Sequence, residues 1–97
     1  MEQFTESVIE IICAIPEGKV MTYGQIARIA GNARGARQVA RILHSMSKKY
    51  KLPWHRVIGS MGDLRLKADE QKLFLEMEGV EFKNQHTVDL KRYQYHP

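Results

Sequence analysis

The chain has 97 residues, 43% hydrophobic and 27% charged, which allows one modest core and is too little for two. A single domain over residues 1–97 follows, and with no run of about 18 apolar residues a membrane-spanning helix is excluded. The one cysteine, Cys13, rules out an internal disulfide framework or a cysteine metal cluster, and a reducing, cytoplasmic setting fits. The net charge of +4 is unevenly spread. Between Gly18 and Gly62 there is no Asp or Glu, whereas Lys19, Arg28, Arg34, Arg37, Arg41, Lys48, Lys49, Lys51 and Arg56 all fall there. A central stretch of one sign is what a polyanion-binding face requires, because each neutralised phosphate releases counterions.

The opening MEQFTESVIEII carries acids rather than a basic leader, and reads as a helix rather than a signal peptide. Phe4, Val8, Ile11, Ile12 and Ile15 recur at helical spacing, so residues 3–15 are expected to form an amphipathic helix ended by Pro16-Glu17-Gly18. Cys13 lies beside that stripe and is expected to be buried. Lys19-Val20-Met21 reads as a short extended link. Thr22-Tyr23-Gly24-Gln25 then matches a capping box, opening a helix that turns Ile26, Ala27 and Ile29 inward and stops at Gly31-Asn32.

A further helix is expected from about Arg34 to Met46. Val39, Ile42, Leu43 and Met46 form its apolar stripe, and Arg34, Arg37, Gln38, Arg41 and Ser45 its outer face. Two short helices joined by a glycine-containing turn, the second basic outside, give a helix-turn-helix over about 23–47. Leu52 to Ile58 reads as a loop entering a short buried strand. Met61-Gly62-Asp63 turns the chain and Leu64-Arg65-Leu66 alternates like a return strand. Asp69 is expected to cap a last helix with Leu73, Phe74 and Met77 on its apolar face, ended by Gly79. The fold class expected is mainly α with a small β wing, a winged helix-turn-helix.

The segment PWHRVI, residues 53–58, resembles the PCHRV active-site signature of the O6-alkylguanine-DNA alkyltransferases, with tryptophan in the cysteine's place. PEGKVMTYGQIARIA (16–30) resembles that family's stretch before its helix-turn-helix, and GNARGARQV (31–39) the start of its recognition helix. The resemblance runs through residues 4–82. The cysteine-to-tryptophan exchange is the mark of the family's alkyltransferase-like branch, whose C-terminal end YQYHP also resembles. It implies a winged helix-turn-helix that binds duplex DNA from the minor groove, flips O6-alkylguanine, transfers no alkyl group and hands the lesion to nucleotide-excision repair. No cofactor, metal or membrane partner is implied, and a monomer is expected.

Residue by residue, Trp54 matches the nucleophile position, and an indole offers no thiolate for displacement. His55 and Glu78 match the pair that activates the cysteine; with no thiol to serve, they read as a structural contact. Arg37 matches the arginine finger that fills the gap left by a flipped nucleotide. Tyr23 matches the tyrosine facing the flipped base. Thr22, Arg34, Gln38, Arg41 and Lys48 are expected on phosphates, with Gly35 and Ala36 allowing close approach to the groove. The main-chain carbonyls of Trp54 and Val57 are expected to accept from the guanine amino group, and Lys67, or else Arg65, to face the guanine edge. The segment GDLRLKADEQK is shorter than the loop that closes over the alkyl group in active transferases, which implies a more open pocket. The zinc-bearing domain of some transferases is not expected.

Two other functions fit parts of the pattern. An active alkyltransferase with a relocated nucleophile would need Cys13 in a reactive setting. A sequence-reading winged-helix regulator would need long polar side chains where Gly35 and Ala36 stand.

Overall fold

The structure, a computed structural model, describes residues 1–97. Helix α1 spans Gln3–Cys13 and sinks Val8 and Ile12 into the core. Strand β1 (Met21–Thr22) leads directly into α2 (Tyr23–Ile29), and α3 (Ala36–Tyr50) follows after a short turn. A single 3-10 turn, Trp54–Arg56, opens into β2 (Val57–Ile58). Helix α4 covers Ala68–Met77, the strands β3 (Phe82–Asn84) and β4 (Thr87–Val88) form a hairpin, and α5 is the short turn Leu90–Tyr93. No helix is long and apolar enough to cross a membrane.

The capping box closes as its residue types dictate. The Thr22 hydroxyl accepts from the Gln25 amide at 3.1 Å, and the Gln25 side chain accepts from the Thr22 amide at 3.2 Å. β1 and β2 pair in parallel, Met21 opposite Val57 and Thr22 opposite Ile58. This pairing brings the start of α2 beside the PWHRV segment. One core lies under the helix-turn-helix, built on Ile12, Met21, Ile26, Val39, Leu43 and Val57. A second joins α4 to the C-terminal segment through Ile58, Leu75, Val80, Val88 and Tyr93.

Several expectations need correction. Helix α3 begins at Ala36, so Arg34 lies in the preceding turn, its amide bonded to Asn32 Oδ1. Ile29 is 45% exposed, because Gln25, Ile26 and Ala27 take the inward face of α2. Leu64–Leu66 is not a strand. The wing is the β3–β4 hairpin, and Leu64 only donates its amide to the His86 carbonyl. Gly62, at φ +82°, turns this loop where a Cβ would meet the Val88 carbonyl oxygen at 2.3 Å, so glycine is required there. Asp69 does not cap α4; Lys67 stands at that position with left-handed backbone (φ 40°), and Asp69 pairs with His86 at 3.1 Å. Leu73 and Met77 are exposed, and the buried face of α4 is Gln71 and Leu75. Cys13, at the end of α1, is exposed rather than buried.

Candidate nucleic-acid interface

Helix α3 carries the candidate interface along its outer side. Arg37 sits in its first turn, where free backbone amides add to the positive potential. It lines a cleft of about 550 Å³ with Tyr23, Gly24, Ala36, Ala40, Arg65 and Leu66. Arg41 turns to the other flank, toward Phe4, Thr5 and Gln38. Arg34, Gln38, Arg41 and Lys48, expected on phosphates, are exposed, and so is Arg37. Gln38 is engaged with Asn32, which donates to its side-chain oxygen at 3.2 Å.

Thr22 is different. It is 6% exposed and its hydroxyl is committed to the helix cap, so it does not present itself as a phosphate ligand. Gly35 is buried too. A Cβ there would lie 3.0 Å from the Phe4 ring and 3.1 Å from Asn32, so the glycine is needed for internal packing as well as for any close approach.

Trp54 lines a smaller cleft, about 280 Å³, with Leu43, His44, Ser47, Leu66 and Lys67. Tyr23 and Trp54 line two adjoining clefts that share Leu66. The basic residues divide likewise: Lys67 shares the Trp54 cleft, whereas Arg65 pairs with Asp63 and faces Tyr23 and Arg37. The indole is held edge-on by two rings, Phe74 at 5.9 Å and His55 at 6.2 Å between centroids. Burial pushes the Tyr23 phenol up to about 12, against the lowering effect of Arg65, so it remains a neutral hydroxyl able to donate.

Behind Trp54, Glu78 organises the PWHRV segment. Its carboxylate meets His55 Nε2 at 2.7 Å, accepts from Arg56 Nη2 at 2.7 Å and Nε at 3.0 Å, and accepts from the Gly18 amide at 2.9 Å. Arg56 also donates to the Ile15 carbonyl at 2.8 Å. Burial alone would raise the Glu78 carboxyl. The bonds from Arg56, the Gly18 amide and His55 outweigh it and bring the carboxyl down to about 2. The His55–Glu78 contact expected from the sequence is thus present within a larger knot centred on Glu78 that includes Arg56.

Val57 is fully buried and its carbonyl accepts from Gln71 Nε2 at 2.9 Å, while the Trp54 carbonyl accepts from the Val57 amide. Val57 therefore supports the site from beneath instead of lining it. Gln71, fully buried, also donates to the His55 carbonyl at 3.1 Å and accepts from the Leu66 amide at 3.4 Å. Arg56 and Gln71 are the two residues that sequence reasoning missed. Arg56 was visible as the arginine of PWHRV, but a glutamine in a charged helix gives no signal of its own.

A basic recognition helix beside a parallel strand pair, with a hairpin wing, defines a winged helix-turn-helix domain of the DNA-binding class. The DNA-binding domain model of 6-O-methylguanine DNA methyltransferase matches residues 3–80, and the chain belongs to that family, with relatives in its alkyltransferase-like branch. The DNA base-flipping protein of Vibrio parahaemolyticus is 42% identical over the whole of both chains. Alkyltransferase-like protein 1 of Schizosaccharomyces pombe is 38% identical, covering 100% of this chain and 98% of its own. The crystal structure of S. pombe Atl1 in complex with damaged DNA containing O6-carboxymethylguanine superposes with a TM-score of 0.88 at 37% identity, covering 100% of this chain and 98% of that one.

Proposed function

We propose that this protein recognises O6-alkylguanine in duplex DNA from the minor groove, swings the nucleotide out of the stack and keeps it without taking the alkyl group. The observation that carries this reading is the intact His55–Glu78 pair beside Trp54, the residue that the PWHRV resemblance puts in the nucleophile position. An indole has no ionisable thiol and cannot accept an alkyl group by displacement. Its flat apolar face can instead wall a pocket for an extruded base. Arg37 would fill the space the base leaves, Tyr23 would donate its hydroxyl, Lys67 would stand at the base's edge, and Arg34, Arg41 and Lys48 would hold phosphates. The reading is supported by relatives named for base flipping and by a relative's complex with damaged DNA.

The whole chain then acts as one DNA-binding unit, a monomer on duplex DNA. Holding a lesion without repairing it is useful only if another system removes it, and the family resemblance implies nucleotide-excision repair as that system.

Intact-mass measurement and a binding titration on the same O6-methylguanine duplex test this. The expected result is preferential binding with no gain in protein mass. A stoichiometric gain of one alkyl group overturns the proposal and, since Cys13 is accessible, would direct attention there. Equal affinity for the unmodified duplex overturns it from the other side.

A further inference from the structure

Three clefts follow one another along α3. Arg37 and Ala40 line the first, His44 and Ser47 the second, and Ser47, Lys48 and Lys51 the third. The third, about 660 Å³, lies beyond the clefts proposed for the flipped base. It adjoins the second directly, because Ser47 and Trp54 line both. Its walls are apolar, supplied by Leu52, Pro53, Trp54 and Phe74. The charge on its rim is of one sign. Lys48 and Lys51 line it, no Asp or Glu does, and neither lysine is in a salt bridge. His55 also borders it, with its Nε2 committed to Glu78.

We propose that this third cleft receives the far end of an extended O6-alkyl group that has passed the edge of Trp54, and that Lys48 and Lys51 make it favour chains ending in an anion. The inference rests on the flipped-guanine reading above. An alkyl chain leaving a base in the second cleft meets apolar walls on the far side of the indole, where burying each methylene is favourable. From Ser47 to Lys51, the residue that ends α3, the chain advances about 6 Å, so an alkyl chain of several carbons brings its terminus under the two ammonium groups. Both lysines are exposed, so their attraction for a carboxylate is modest and sensitive to salt.

The test compares affinities for duplexes carrying one O6-alkylguanine: methyl, and chains of roughly six carbons, a length set by the helix rise, ending in carboxylate, carboxamide or ammonium. The carboxylate should bind about two- to fivefold more tightly than the carboxamide, the ammonium more weakly, and the gap should narrow as salt rises. In the Lys48→Gln/Lys51→Gln double variant the carboxylate-to-carboxamide ratio should fall to about one. Any attraction between Lys48 and a DNA phosphate is common to all four duplexes, so its removal cancels in that ratio. Equal binding of carboxylate and carboxamide by the natural chain, or a ratio that survives the double substitution, overturns the proposal. In either case a preference for the methylated over the unmodified duplex leaves the flipping reading standing, whereas no preference for any alkylated duplex removes both.

Discussion

Replacing Arg37 with Ala should weaken binding to a duplex carrying one O6-alkylguanine by about 1–3 kcal/mol and leave binding to undamaged duplex far less changed. A side chain that fills the space of an extruded nucleotide acts only when the nucleotide has left the stack, whereas a phosphate contact is present either way. Arg37 lies in the first turn of α3, in the cleft that also holds Tyr23, the place from which a side chain can follow a departing base. Arg41 and Lys48 point elsewhere and serve as the control. Their alanine variants should weaken damaged and undamaged duplex alike, each reducing the salt slope by roughly one unit. Equal losses on both duplexes for Arg37→Ala would make it one more phosphate ligand.

The second large effect is on stability. Glu78→Ala should cost about 3 kcal/mol in a urea titration, since it leaves the Arg56 guanidinium, 16% exposed, without its counter-charge and the Gly18 amide without an acceptor. The pH dependence has a definite sign. The Glu78 carboxyl titrates lower in the folded chain, about 2, than its ordinary 4.5, so its contribution is full above the ordinary value and fades as pH falls toward 2. The variant should lack that part of the acid limb. Matching acid limbs for the two proteins would show that the Glu78 knot contributes nothing to stability.

The helix-turn-helix was legible because its signals are local. Thr22 and Gln25 announce the cap, and Val39, Ile42 and Leu43 mark the inward face of α3. Helix α4 was misread for a physical reason. Its buried face includes Gln71, which enters the core by pairing with the main chain of His55 and Val57, while Leu73 and Met77 are left outside. Hydropathy ranks these residues in the opposite order. The wing failed similarly. Leu64-Arg65-Leu66 alternates well, yet the paired strands are the largely polar stretch from Phe82 to Val88. At the site, the His55–Glu78 contact was readable through the family resemblance. The placing of Tyr23 and Trp54 in two adjoining clefts was not, because it depends on where the chain brings Leu66 in three dimensions.

The capping box of α2 is also held from far away. Gln25 Nε2 donates to the Tyr95 carbonyl at 2.6 Å, and Val20 is bracketed by main-chain bonds to Tyr93 and Tyr95. These bonds close loops of about seventy residues around α3 and the clefts beside it. Closures of that span are entropically costly until the intervening elements have packed, so they belong late in folding. A chain still being made would therefore have formed α3 well before it could fix the entry to α2. Until residues 93–95 have left the ribosome, the segment bearing Tyr23 is held only by its own cap, by the pairing of β1 with β2 and by the core beneath it, and lacks its ties to the C-terminal end.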